Sequence, residues 1–432
     1  MRDIKFSNFE RKFLECRKSN DNEAALSLIF RAANYVASNR LHVGQALFFR
    51  QLDSCLKNIC QSSELKKQFA GQFLPRPKED AVVIASEVYS AGGHGQIIKR
   101  LSSAINSHLI FTDPFFRCTY DSKAEVPNNI GINFSSVCTL SGRTHVTKIY
   151  QCLEFLEKLN PGILFLVGHH QDVVPIAVGL MFAEARRTVF LHHADHLPSL
   201  GASINFPVHY DFRSEIRSIC GKYLERAHVL PTPVSEFGGR VKAPGERIVL
   251  ATSGTFIKFE GNCGGISYPD VVLKILSCEF VEKYVHIGEI SGAVLSSIQS
   301  GISQNEKMHK KFVRVDRVPS VAEYLVQEGI NGYIASFPTT GAMAAAEAQS
   351  VGCPVIYPDD TLAPSLCESE SLYPSKVLSW SDLPALRQVI WEVGVNWGCF
   401  SEEALAHYRT RNSSECFKRE IERIKNMLAV NL

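Results

Sequence analysis

Twice along this chain a series of short apolar runs alternates with helix-length amphipathic stretches, and the second series restarts after a loop-like KAPGE at 242–246. In the first series the runs lie at 80–86 (DAVVIAS), 108–111, 131–134, 163–167 (ILFLV) and 188–191 (TVFL). Helical spacing fills 96–105, 146–159 and 174–185 between them. In the second, runs at 248–251 (IVLA), 284–287, 312–315, 332–335 and 354–357 are separated by helical patterns that include 268–276, 321–328 and 341–350. Continuous apolar runs, as opposed to alternating ones, belong to strands covered on both faces, and helical crossovers make such strands parallel. The pattern predicts two doubly wound α/β domains in tandem.

Length agrees, since 432 residues exceed what one core usually organises. Residues 1–75 read as helical, with apolar periodicity at 22–39 and 46–59, and Pro75 and Pro77 close the region. The expected division is a helical region over 1–75, a first α/β domain over 76–243, a second over 244–400, and charged-faced helices over 401–432.

A formal net charge of +2, from 46 Lys+Arg against 44 Asp+Glu, gives no case for nucleic acid as a partner. The charged start MRDIKFSNFERKF lacks the apolar centre of a secretion signal. The longest apolar runs, 162–168 and 173–183, fall short of the ~20 residues that span a bilayer, so no transmembrane segment is expected. Thirteen cysteines without a CxxC pair read as reduced thiols, which predicts a cytoplasmic location.

In open parallel sheets ligands bind beyond the carboxyl ends of the strands. In the first domain those ends carry Glu87 followed by Ala91-Gly92-Gly93-His94-Gly95, then Gly168-His169-His170, then His192-His193-Ala194-Asp195-His196. In the second they carry Thr252-Ser253-Gly254-Thr255 with Lys258 close behind, then Gly288, then Ser336-Phe337-Pro338-Thr339-Thr340-Gly341 opening an Ala-rich helix. A helix N-terminus with free N–H groups suits a phosphate, a lysine suits a diphosphate, and Glu347, two turns in, suits two ribose hydroxyls. An ordinary N-cap, a surface lysine and a solvated glutamate are the competing reading. His192 and His196 are spaced as a zinc pair on a helix would be, but they follow a strand and no third ligand is evident; no metal site is expected.

The stretch 312–358 resembles the donor-binding domain of the O-GlcNAc transferase family, which includes bacterial cytoplasmic N-glycosyltransferases. It shares a helix, a strand, a short TTG loop and an acidic residue, Glu347, ahead of Gly352-Cys353-Pro354. SGTFIKF resembles the family's loop whose lysine contacts the diphosphate, here Lys258. The loop 91–95 resembles the one that places a histidine at the active site, here His94, and HADH with Leu-x-x-Leu-Gly over 193–201 is similar to an acceptor-side segment of bacterial relatives. The likeness spans roughly 80–360 and is specific over about 250–358.

The resemblance implies a GT-B fold, two Rossmann-like domains facing a cleft, with a helical N-terminal extension in place of tetratricopeptide repeats. It implies a glycosyltransferase that moves a sugar from a nucleoside diphosphate, UDP foremost, to a saccharide or protein acceptor, with the nucleotide sugar as substrate and no cofactor. Donor contacts are expected from Ser253, Gly254, Thr255, Lys258, Gly288, Val318, Ser336, Thr339, Thr340, Gly341 and Glu347. Acceptor-side contacts are expected from Gly92, Gly93, His169 and His170. His94 is the first candidate for general base, with His193, Asp195 and His196 next; a histidine that only grips a phosphate oxygen is the other reading. No DxD motif follows a strand, which favours metal independence. Thr339 stands where retaining GT-B enzymes carry a second glutamate, which favours inversion. A GT-B epimerase using Glu87 and Asp195, or a non-catalytic scaffold, are the alternatives.

Overall fold

The computed structural model describes residues 8–38, 48–62, 80–87, 93–115, 134–182, 187–192, 197–211, 227–229, 231, 232, 234–303, 305–359 and 378–429. The chain divides into two compact units, residues 1–230 with 418–432, and residues 231–417.

Unit 1 opens with helices α1 (Phe9–Lys18), α2 (Asn22–Ala37) and α3 (Arg50–Cys60). Its strands are β1 (Ala81–Ala85), β2 (Ser107–Phe111), β3 (Ser136–Thr139), β4 (Ile163–Val167), β5 (Thr188–His192), β6 (Val208–Asp211) and β7 (Ala227–Val229). They form one parallel sheet in the order β3-β2-β1-β4-β5-β6-β7. Helices α4 (Gly93–Ala104), α5 (His145–Leu159) and α6 (Val173–Phe182) are the crossovers. The third strand begins at Ser136, beyond the GINF run, of which 131–133 lie outside the described residues. Its SVCT sequence is mostly exposed, as suits an edge strand, and therefore lacks the apolar signature of its neighbours.

Helix α6, VVPIAVGLMF, is apolar on every side, and this fits where it sits. One apolar cluster runs without a break from Phe9, Leu26, Leu52 and Leu56 of the first helices through α6 to Leu164 and Leu166 of β4. The N-terminal helices are thus a second layer over the sheet's helices. Two carboxylates fasten them. Glu23 of α2 accepts from the Val146 amide (2.9 Å) and meets His145 Nδ1 (2.8 Å), which ties it to the start of α5. Asp53 of α3 accepts from the Gly201 amide (2.7 Å), the Ser203 amide (3.1 Å) and Ser203 Oγ (2.5 Å).

Unit 2 holds β8 (Ile248–Gly254), the hairpin β9 (Asn262–Cys263) and β10 (Ile266–Ser267), β11 (Val281–Gly288), β12 (Phe312–Val315), β13 (Gly332–Ile334), β14 (Val355–Pro358) and β15 (Ser379–Trp380). The main sheet runs β12-β11-β8-β13-β14-β15, all parallel. Helices α7 (Tyr268–Ser277), α8 (Gly292–Ile302), α9 (Glu306–Lys311), α10 (Val321–Gln327), α11 (Ala342–Ser350), α12 (Leu383–Val395) and α13 (Trp397–His407) surround it. A capping box of Ser267 and Asp270, with Pro269 in the first turn, starts α7. The KAPGE stretch belongs to this unit, where Asn331 Nδ2 donates to the Lys242 carbonyl (2.8 Å). The C-terminal helical region resolves into α13, a π-turn at Tyr408–Asn412, and α14 (Ser414–Ala429), most of which belongs to unit 1. There Tyr210 donates to Glu420 (2.6 Å), and Arg423 grips the same carboxylate through two nitrogens. Among the described residues no helix is long and apolar enough to cross a membrane.

Asp53 yields a test. Burial pushes its carboxyl up to about 6 from 3.8, against the pull of the Ser203 and Gly201 donors. Between those values the folded chain holds a proton that the unfolded chain has lost, so this group's contribution falls as pH rises from about 4 to 6. Asp53→Ala is expected to cost about 1–3 kcal/mol in urea unfolding, since it leaves buried donors unmet. It should also remove that fall, seen as a pH-dependent difference between the wild-type and variant curves.

Candidate functional site

In both sheets the strand order reverses beside the first strand, between β1 and β4 in unit 1 and between β8 and β13 in unit 2. Crossovers leave such a point in opposite directions, so the loops part and expose backbone groups.

At the unit 2 switch point, β8 ends in Ser253 and Gly254 and passes into a single turn of 3-10 helix, Phe256–Phe259, that carries Lys258. Strand β13 passes into Ser336–Gly341 and the N-terminus of α11. The two loops are tied together: the Thr339 amide donates to the Lys258 carbonyl (3.2 Å), and Lys258 Nζ donates to the Thr340 carbonyl (3.4 Å). Gly341 caps α11 without a side-chain hydrogen bond, and a Cβ there would collide with Lys258 Nζ. Ser336 Oγ donates to the Thr339 carbonyl (2.7 Å), which shapes the TTG turn. Ser253 Oγ lies 2.8 Å from the Tyr333 hydroxyl. Gly288 has φ +111, and a Cβ on it would strike the Gly254 carbonyl, so neither a side chain nor an ordinary backbone is tolerated there. Thr255 is exposed, whereas Ser336, Thr339 and Thr340 are buried.

Two donor-side expectations find a mixed setting. Glu347 is engaged through one oxygen: Oε2 accepts from the Val321 (2.6 Å) and Ala322 (3.2 Å) amides and so caps α10. Burial pushes its carboxyl up while these two amides oppose the rise. Val318 packs, half-buried, against the core of unit 2.

At the unit 1 switch point, His94 lies in the first turn of α4, just after Gly93. Its Nε2 stands 2.7 Å from the Val167 carbonyl at the end of β4. A carbonyl only accepts, so Nε2 donates the proton in this contact. Burial pulls the imidazole down to about 4, with the Val167 and Glu87 backbone groups opposing. The His169 ring lies 4.8 Å away between centroids, and His170 follows at 6.4 Å from His169. Three of the expected histidines therefore gather at one sheet edge. Gly92, His193, Asp195 and His196 lie outside the described residues. His192, the last residue of β5, is buried in a strand, so it is not part of a helical HxxxH pair. Among the described residues no three His, Cys, Asp or Glu side chains gather as a metal centre would need.

Asp172 was not singled out in the sequence. It is fully buried below the histidines, where it accepts from Ser86 Oγ (2.6 Å), Thr112 Oγ1 and the Val174 amide (3.0 Å). Ser86 Oγ in turn accepts from the His169 amide (2.7 Å), so this carboxylate orients the loop that bears His169. The signal was available: an aspartate directly before an apolar helix is an N-cap. Beside it Lys148, also buried, donates to the Thr112 (2.8 Å) and Asp113 (2.6 Å) carbonyls.

No family model matches the chain, and no curated protein matches it by sequence. Solved structures do match in fold. An O-GlcNAc transferase mutant from Thermobaculum terrenum superposes with TM-score 0.58 at 12% identity, covering 99% of this chain and 85% of that one. A glycosyltransferase from Rickettsia africae gives 0.58 at 12%, covering 82% and 100%. Anabaena HepE, in complex with UDP and glucose, gives 0.54 at 9%, covering 80% and 99%. At these identities the agreement is one of fold: the chain has the GT-B fold, two Rossmann-like units with a helical N-terminal region.

His94 supplies a measurement. Its imidazole is expected to stay neutral until about pH 4, so its ring Cε1 proton should titrate there by NMR rather than near 6.5. Because the unfolded chain protonates first, this histidine also makes stability drop as pH falls from about 6.5 to 4. A midpoint near 6.5 would contradict the burial of the ring.

Proposed function

We propose that the chain is a glycosyltransferase that binds a nucleoside diphosphate sugar, with uracil as its base, at the switch point of unit 2 and passes the sugar to a saccharide or protein acceptor. One observation carries the reading: Lys258 and the N-terminus of α11 converge there, with the ammonium 3.4 Å from the Thr340 carbonyl. A cation and a helix N-terminus at one point suit a diphosphate and little else of small size. The bound UDP and glucose of Anabaena HepE, a relative in fold, support the same choice of donor.

In the reaction the bond between the sugar's anomeric carbon and the diphosphate oxygen breaks as the acceptor oxygen bonds to that carbon. The leaving diphosphate gains charge, which Lys258 and the first amides of α11 neutralise as preorganised positive potential. Gly254, Gly288 and Gly341 let backbone approach the phosphates without a side chain between. Glu347, anchored through Oε2, offers Oε1 to the ribose hydroxyls. The acceptor's proton goes to His94. The Val167 carbonyl, hydrogen-bonded to Nε2, orients the ring as an orienting group does for an activated base. With this charge balance no metal is required, and the absence of a second glutamate at Thr339 favours inversion at the anomeric carbon.

Lys258→Ala is expected to weaken nucleoside diphosphate binding by about 10- to 100-fold in calorimetry, the scale of a charge-assisted contact. Unchanged affinity sinks the donor site. The same account expects turnover to persist in EDTA.

His94→Ala separates the two roles open to this residue. As a base, its loss lowers kcat by about 10²–10⁴-fold while nucleotide Kd stays near wild type. As a phosphate contact, its loss raises Kd and leaves kcat nearly intact. With the imidazole at about 4, the acid limb of kcat is also expected well below pH 6.

A further inference from the structure

Lys258 rides on a turn of one helical revolution, too short to hold a lysine in place by itself. Its neighbour Phe259 is different in kind: 1% exposed, it lies with its ring centroid 4.5 Å from that of Tyr268 and 4.5 Å from that of His286. Those two partners are themselves locked. The Tyr268 hydroxyl lies 2.7 Å from His286 Nδ1 and 3.3 Å from the Tyr284 hydroxyl, and His286 Nε2 lies 3.4 Å from the Glu289 carbonyl. His286, fully buried on β11, is pulled down to about 4 by that burial, so it stays neutral and the platform carries no charge of its own. A Cβ on Gly254 would stand 3.0 Å from Phe259 Cε2 and 3.3 Å from Lys258 Cδ, so ring and lysine stem both lie against the end of β8.

We propose that Phe259 is the positioning residue of the donor site: wedged between Tyr268 and His286 beneath Gly254, it fixes the turn that aims the Lys258 ammonium at the N-terminus of α11. This rests on the donor site proposed above and deepens it. Phe259 touches no ligand; it acts through Lys258. Its effect therefore belongs to the diphosphate part of a nucleotide and not to the nucleoside. A residue that merely stabilised unit 2 would affect both parts alike.

The test is a double-variant cycle. The tightest of UDP, GDP, ADP and CDP, and its parent nucleoside, are titrated calorimetrically into wild type, Lys258→Ala, Phe259→Leu and the double variant. Phe259→Leu and Lys258→Ala are each expected to weaken the diphosphate by about 10- to 100-fold, with the nucleoside unchanged. The double variant should be no weaker than Lys258→Ala alone, because both changes remove one interaction. Additive losses, equal losses for diphosphate and nucleoside, or an unaffected Phe259→Leu beside an impaired Lys258→Ala overturn the inference and leave the donor site standing. A wild type that binds none of the four diphosphates overturns both. Should Phe259→Leu not fold, Tyr268→Phe keeps the ring and removes only the hydroxyl that meets His286 and Tyr284. It is expected to cost the diphosphate about 2- to 10-fold and the nucleoside nothing, and no change in either overturns the inference.

Discussion

A parallel sheet cannot leave a face wet, because its strands are apolar on both sides and its crossovers are helices. That requirement organises the chain. In unit 1 it reaches a step further: α6 covers the sheet but is itself apolar all round, so it needs cover in turn, and α2 and α3 supply it. The N-terminal helices are therefore a consequence of the composition of α6, and Glu23 and Asp53 set their register on the layer below. In unit 2 the Ala-rich α11 is likewise covered, by α13 and the π-turn, where His407 (3.2 Å) and Asn412 (3.2 Å) meet Gln349.

Burying the strands throughout has a second effect. The strand ends become the places where backbone and polar side chains emerge together, and at the two switch points they emerge without a crossover to cover them. The groups there are of different character. In unit 2 a cation is aimed at a helix N-terminus over a floor of glycines. In unit 1 three histidines sit over a buried carboxylate, Asp172, whose contacts with Ser86 and Thr112 join the ends of β1, β2 and β4. The first is suited to a polyanion, the second to groups that exchange protons or accept hydroxyl hydrogen bonds.

Much of this was legible from residue order, because it rests on local signals. DAVVIAS, ILFLV and IVLA announce buried strands by composition alone, and the TTG turn with its Ala-rich helix announces an N-terminus. The edge strand SVCT, exposed over most of its length, gives no such signal, and the GINF run just ahead of it carries the apolar pattern instead. What stayed hidden were contacts between distant positions: Phe259 on Tyr268 and His286, Asp172 with Thr112, and Glu347 with the start of α10. Each side chain there reads as ordinary core or surface until the sheet brings its partner alongside. His94 is similar. Its place between two glycines was evident, but its hydrogen bond to Val167, which orients the ring, depends on the pairing of β1 with β4.

The double layering of unit 1 bears on how the chain can be shortened. A truncation at residue 76, which the pattern of the sequence invites, would strip α6 of its cover and turn a fully apolar helix toward water. Such a fragment would be an aggregation-prone product and not a minimal domain, because the boundary written in the sequence is not one in the packing. Any segment joined ahead of α1 would have to leave α1–α3 seated on the layer below, as a graft onto a standing wall.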